Sequence, residues 1–571
     1  MIVNVLRAEK FIIPRIRILT LKHLGSTFKP SRRCRAMGRE QSAGERSIMK
    51  SLLLAVPLLC ASIAAAGGAP QNRPPIAPFE SSAWTTPATA LDKIVEDDLV
   101  QGGFAFRYPS ADAVFLRRIY LDLMGTVPEP EEVAAFTADR SPDRVGRLLD
   151  RMFERPEYAD YQTMLWCDLL RMKSEFPVNL WPNAVQAYSR WVRDAIAANL
   201  PYDSFARSLL LSGGSNFRDP PSKFYRAVET RTSEALAGAV ALTFLGVRPS
   251  ALGEDRLRSL SSFFARVAYK KTLEWKEEIV YFNPASVETL AVLPDGTRLR
   301  IPADADPRLA FADWLTSKNN PYFARAVVDR TWYRLMGTSL IADSETAPPE
   351  TQADCPELMD YLCGRLIASG WDLRVLLRTI AESRTYRQSS IPYGNEGETG
   401  YGYAFYRIRR LDAEVLADSL SRVGPSDYQY VSPVPEPFTY IPMDQRTTAL
   451  ADGSIASSFL VKFGRPSRNT GSADERDGAI SADQVLHFLN SSDIRRRIEK
   501  GNLMKEVFDG TGDNREEQVR RLYLFLLSRP PLPEELRIVA ARLKGNKAAP
   551  KQAAADLAWA LVNSKEFLYR H

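Results

Sequence analysis

The residues best suited by type and spacing to do chemistry are arginines and carboxylates in three clusters. Arg117, Arg118 and Asp122 fall in one helical stretch, with Arg118 and Asp122 at the i,i+4 spacing that lets them pair. Arg409, Arg410, Asp412 and Glu414 form a second cluster, and Arg465, Arg468, Glu475 and Arg476 a third. Asp168 and Arg330 complete the candidate ligand-binding set. A guanidinium presents a planar fork of donors, so clustered arginines can clamp a carboxylate, sulfate or phosphate through paired hydrogen bonds. The same residues can instead form ion-pair networks that fix how helices cross. Both readings stay open on sequence alone.

Carboxylates are plentiful enough for a glycosidase-like pair, but sequence spacing does not say whether two lie about 5–10 Å apart. Asp168, Asp329 and Asp372 lie beside aromatics, and Trp166, Trp314, Trp332 and Trp371 could stack on sugar rings. The plainer reading packs these tryptophans in the core. There is no Gly-rich phosphate loop after a strand and no Gly-x-Ser-x-Gly elbow. Beyond Ala66 the chain has two histidines, His487 and His571, and three cysteines, Cys167, Cys355 and Cys363. His487 reads as a satisfied structural histidine. Cys355 and Cys363 are spaced about 12 Å apart along an apparent helix, too far for a disulfide. The sequence therefore offers no imidazole and thiolate set for zinc or haem, and the expectation is no metal and no cofactor.

The elements that must position these groups are mainly helices. From Leu91 to Leu245 apolar residues recur every three or four positions, as in Val114, Leu116, Ile119, Tyr120 and Leu123. Between residues 277 and 302 the period changes: Ile279-Val280-Tyr281-Phe282, then residues 289–301 around Pro294-Asp295-Gly296, predict a small β element with a tight hairpin. Helical periodicity resumes after Asp306-Pro307, an N-cap followed by proline at the first helical position. Residues 394–402, 433–442 and 464–478 read as loops, where binding groups tend to sit. The expected fold is mainly α: two packed helical domains, 91–276 and 303–571, with a small β-hairpin insertion at 277–302 between them.

The N-terminal region carries a different message. Residues 1–48 hold eleven Lys/Arg against three Asp/Glu, and Lys50 adds one more positive charge, so of the net +6 the chain from Gly67 onward carries −3. A near-neutral body gives no electrostatic case for nucleic acid. Lys50, the apolar residues 51–63 and the small residues before Gly67 have the pattern of a signal peptide at 49–66, cleaved after Ala66. That apolar run is too short for a bilayer anchor, which needs about 20 residues. Residues 1–48 read as a start placed too early or a basic extension, and 67–90 as a disordered lead-in. The expectation is a secreted or periplasmic protein without a transmembrane anchor once cleaved.

Longer segments carry a resemblance. Residues 115–130 (FLRRIYLDLMGTVPEP), 201–205 (PYDSF) and 243–247 (TFLGV) resemble domain of unknown function 1549. Residues 308–321 (RLAFADWLTSKNNP), 369–373 (SGWDL), 383–389 (SRTYRQS), 410–414 (RLDAE), 463–466 (FGRP), 526–534 (LLSRPPLPE) and 563–567 (NSKEF) resemble its partner, domain of unknown function 1553. The pair is similar to the planctomycete cytochrome-C-like family, whose biochemical role is undefined. The resemblance implies a Cys-x-x-Cys-His haem motif after residue 247, where this chain has Arg248-Pro249-Ser250-Ala251-Leu252-Gly253. It also implies histidine at Leu165, Arg334 and Cys355, and cysteines near Ser472-Ala473-Asp474. These departures point to a haem-independent binding or assembly component of the cell envelope, with another envelope protein or a glycan as partner. The alternative is a hydrolase or accessory protein for polysaccharide or sulfated glycan, and electron transfer as a c-type cytochrome runs against the missing residues.

Overall fold

Helices alternate with short loops from Ala90 onward, as their apolar spacing dictates. The structure, a computed structural model, describes residues 73–274, 276–392, 403–425, 430, 432–434, 441–442, 444–545 and 550–571. The extension 1–48, the signal segment 49–66 with Ala66, the loop 394–402 and most of 433–442 lie outside the described residues. Residues 75–571 make one compact unit, mainly α, as expected.

The helix Asp112–Met124 is central. Every residue from Val114 to Met124 is buried, and Gly125 ends it in the left-handed conformation at φ 58°. A Cβ at Gly125 would strike the Tyr161 ring, so glycine is needed both for the turn and for the close approach. One apolar core takes Phe115, Leu116, Ile119 and Leu123 from this helix, while Leu121 belongs to a second core with Leu411, Leu416, Leu460 and Leu526. The helix Pro156–Leu169 straddles the same seam, with Tyr158 and Trp166 in the first core and Tyr161 and Met164 in the second. A continuous buried helix is where Arg117, Arg118 and Asp122 sit, and a buried charge is tolerated only when paired and hydrogen-bonded.

The expected hairpin is present as β4 (Thr289–Val292) and β5 (Arg298–Ile301), antiparallel, with Gly296 at φ 88° in the turn. The strand expected at 279–282 is β3 (Glu278–Phe282), and it belongs to a separate three-stranded sheet with β1 (Gly214–Ser215) and β2 (Val267–Lys271). Both partners fall outside 277–302. The strand β2 is short and half exposed, so it lacks the alternation that marks a strand in sequence. Asp306 caps the helix Pro307–Leu315 by accepting from the Arg308 N–H at 3.0 Å, as the Asp-Pro pair implies. Two further strands, β6 (Arg409–Arg410) and β7 (Tyr569–Arg570), pair antiparallel and bring the end of the described chain against the second arginine cluster. Among the described residues, no helix is long and apolar enough to cross a membrane.

Candidate functional site

Seven of the twelve candidate residues converge on one buried ion-pair network. Asp122, on the central helix, accepts from Arg570 at 3.0 Å and from the hydroxyls of Tyr386 and Tyr406 at 2.8 and 2.9 Å, with Arg409 at 3.5 Å. Arg570 then donates to Asp412 at 2.7 Å, and Tyr161 donates to the same carboxylate oxygen at 3.1 Å. Arg476 lies 3.7 Å from Asp412 and donates to Glu414 at 2.8 Å and to Asp168 at 2.7 Å. Arg468 completes Asp168 at 2.8 Å, and Arg465 approaches Glu414 at 3.3 Å. Four carboxylates thus meet five guanidiniums, and every carboxylate oxygen faces a cation or a hydroxyl. The loop 464–478 supplies three of the arginines, and positive φ at Gly464 (78°) and Gly471 (80°) folds it onto the helices.

The electrostatics follow from this geometry. Burial alone would raise the Asp168 carboxyl, but Arg476 and Arg468 outweigh it and hold it below the usual carboxylate range. Burial likewise opposes the charge on Asp412, and Arg570 and Arg476 pull its carboxyl well below that range. Burial would lower the Arg476 guanidinium, while Asp168, Glu414 and Asp412 hold it well above its ordinary value.

The remaining candidates go elsewhere. Arg118 does not pair with Asp122: it donates to main-chain oxygens of His571 (3.0 Å), Tyr386 (2.6 Å) and Gln388 (2.9 Å), its guanidinium 3.8 Å from the Tyr406 ring centre. The i,i+4 pairing gives way because three carbonyls and an aromatic face already surround that fork. Arg117 donates to the Leu526 and Phe567 carbonyls and to Ser528. Arg410 serves the carbonyls of Phe463 and Asp477, and Arg330 those of Thr243 and Leu242. Glu475 closes its own loop through Ser467, Asn469 and Thr470. Sequence reasoning missed Arg570, Tyr161, Tyr386 and Tyr406, none of which carries a local pattern.

Among the described residues the donor set does not fit haem. The segment after Val247 forms the short helix Pro249–Leu252, and Arg248 pairs with Glu345 and Asp474. Cys167 is buried against Met172 and Ser189, and burial raises its thiol. His487 packs edge-on against Phe459, Phe463 and Phe488, and its buried Nε2 has no hydrogen-bond partner, so it is structural but not fully satisfied. Among the described residues no group of three or more His, Cys, Asp or Glu is placed to hold a metal ion. Trp166, Trp332 and Trp371 are buried in the core, and Trp314 is half-buried with its indole on Asp295 at 2.7 Å.

Among the described residues, a cavity and a groove lie beside this network and its neighbours. A small cavity of about 60 Å³ lies between the helices Pro156–Leu169, Pro182–Ala197, Tyr202–Leu210 and Phe323–Met336. Leu165 and Arg334, two positions where the resemblance implies histidine, both line it, with Tyr202 and Arg330. An open groove of about 680 Å³ is lined by Glu175, Phe176, Trp181, Arg226 and Lys276. Phe176 is 72% exposed there, Trp181 holds φ at 75°, and the Lys276 ammonium sits 5.1 Å from the Trp181 ring centre.

Compared with known protein families, residues 90–244 match PSCyt2, Protein of unknown function (DUF1549), and residues 307–543 match PSD1, Protein of unknown function (DUF1553). No curated protein and no solved structure matches the chain.

Proposed function

Because this chain belongs to the family that joins a DUF1549 region to a DUF1553 region, we propose that it is an exported, haem-independent binding or assembly component of the cell envelope. One observation carries this reading. Asp122, Asp168, Asp412 and Glu414 are paired inside the arginine network, while Asp329 accepts from the Leu340 and Ile341 N–H groups and Asp372 caps its helix on the Arg374 and Val375 N–H groups, so each has a structural partner. The network also spans both family regions, with Asp122 and Asp168 from one and Asp412, Glu414, Arg465, Arg468 and Arg476 from the other. A desolvated pair of this kind adds little net stability, but removing one partner is costly, which suits a device that fixes one relative placement. The signal-like segment 49–66 supports secretion or a periplasmic site, and sequencing the exported protein should find a new N-terminus after Ala66. Optical and elemental analysis of the purified protein should give no stoichiometric haem band and no stoichiometric metal. A haem band at one equivalent would refute the reading.

A second reading, an accessory role on glycans, is favoured by the open groove. Phe176 gives a sugar face something to stack on and Lys276 suits a sulfated sugar, while Arg226 is buried and paired with Glu278 at 2.8 Å. Among the described residues Glu175 is the one carboxylate lining it, so the groove supports glycan binding rather than two-carboxylate hydrolysis. A broad glycan panel separates the two: capture without product release fits an accessory protein, and product release refutes the non-catalytic reading.

A further inference from the structure

We propose that the open groove beside Trp181 binds a sparsely charged acidic glycan segment, its sugar face on Phe176 and its acidic group, a sulfate ester or a uronic carboxylate, on Lys276. This rests on the accessory reading above and deepens it by naming the ligand class.

The groove wall is a loop built to present side chains. Residues 173–181 are closed by main-chain hydrogen bonds: Trp181 N–H donates to the Ser174 carbonyl at 3.3 Å, Leu180 N–H to Lys173 at 3.1 Å and Asn179 N–H to Glu175 at 2.8 Å. Asp452 and the Ser454 hydroxyl anchor the loop from the second family region, accepting from the Ser174 and Glu175 N–H groups, each at 3.0 Å. Held in this way, the loop sets Glu175, Phe176, Asn179 and Trp181 on the lining, and Lys276 joins them.

Backbone strain concentrates on the same lining. Of the nine non-glycine residues with left-handed φ among the described residues, three belong to this groove: Asn179 at 54°, Trp181 at 75° and Lys276 at 60°. Asparagine tolerates that region, but tryptophan and lysine hold it only where their surroundings enforce it, and such positions cluster at binding sites. Pro182 constrains Trp181 further, keeping its ψ extended at 142°. In this arrangement the Lys276 ammonium sits 5.1 Å from the Trp181 ring centre, a cation placed on the groove wall before any ligand arrives.

The open groups narrow the ligand. Phe176 is 72% exposed, Asn179 and Lys276 are exposed, and Glu175 is half-buried. A bare aromatic ring matches the apolar face of a sugar, and the Asn179 amide and Glu175 carboxylate match ring hydroxyls. Among the described residues of the lining, Lys276 is the one exposed cation, because Arg226 is buried and paired with Glu278 at 2.8 Å. One cation suits one acidic group, and Glu175 on the same lining opposes a densely sulfated chain. The groove volume of about 680 Å³ falls within the roughly 300–1,000 Å³ of ligand sites.

The test is calorimetric titration of the purified full chain with an uncharged agarose tetrasaccharide, a κ-carrageenan tetrasaccharide carrying one sulfate per disaccharide, tetragalacturonate and a heparin tetrasaccharide. Wild type, Lys276→Met and Phe176→Ala are compared. The carrageenan tetrasaccharide or tetragalacturonate should bind saturably and about fivefold tighter than the uncharged one at low salt, with the margin closing at high salt. The tighter of the two identifies the acidic group. Lys276→Met should erase the margin and keep uncharged binding, and Phe176→Ala should weaken every tetrasaccharide by about fivefold. Both side chains are exposed, so both variants should melt with wild type. Equal binding of charged and uncharged tetrasaccharides, a margin that survives in Lys276→Met, unchanged affinity in Phe176→Ala, or heparin binding tightest would each overturn this assignment and leave the accessory reading standing. No saturable binding of any tetrasaccharide would refute both.

Discussion

Lys223 opens a direct test of how this fold tolerates buried charge. Its side chain is fully buried, its Nζ has no hydrogen-bond partner, and burial, followed by the repulsion of Arg226, lowers its ammonium from 10.5 to about 6. At neutral pH the folded chain therefore holds a neutral amine where the unfolded chain holds an ammonium. Between about pH 6 and 10.5 the unfolded state binds one more proton, so this group makes unfolding free energy rise with pH, by about 1.4 kcal/mol per unit. Lys223→Met keeps the volume and removes the titration. The variant should be more stable than wild type at pH 7, by up to about 5 kcal/mol in the limit of the full shift, and the gap should shrink by about 3 kcal/mol at pH 9. Guanidinium unfolding at the two pH values, followed by circular dichroism, measures both quantities. A gap that does not change with pH, or a variant less stable at both, would mean that the amine stays charged and compensated, and would refute the reasoning.

Other outcomes follow from the same structure. Asp412→Asn leaves Arg570 and Arg476 under-compensated in a buried site and should cost about 3–5 kcal/mol in a denaturant titration. Because the folded Asp412 carboxyl lies below its unfolded value, its contribution is full above about pH 4 and is lost as pH falls through the folded value, and the Asn variant should lose that acid limb. His571 is lowered to about 4, chiefly by burial and then by Arg117 and Arg118, so wild type should lose stability as pH falls from about 6.5 toward 4, and His571→Phe should lose less. Gly464→Ala places a Cβ against the Asp477 carbonyl at φ 78° and should lower the melting temperature by displacing the loop that carries Arg465, Arg468 and Arg476.

The helical class was legible because the apolar period of three to four residues is local, and the hairpin around Asp295-Gly296 and the Asp306 cap because turn chemistry is local too. The strands β1 and β2 were not, since two or five half-exposed residues carry no alternation of their own. The three arginine clusters stood out by composition, yet the use of each fork was decided by residues hundreds of positions away. Arg118 found carbonyls of residues 386, 388 and 571 instead of Asp122. Arg570 lies near the far end of a helical stretch with nothing in its neighbours to mark it.

The pairing of Arg117, Arg118 and Asp122 with residues 567–571 also sets an order of events during synthesis. These contacts join positions about 450 apart. At roughly 5–20 residues per second, the central helix spends tens of seconds on the ribosome before its partners exist. Through that interval it presents two cations and one anion on an otherwise apolar rod, which cannot be packed away without a desolvation penalty. The hydrogen bonds of Arg117, Arg118 and Asp122 to this segment form only once residues 567–571 have been made.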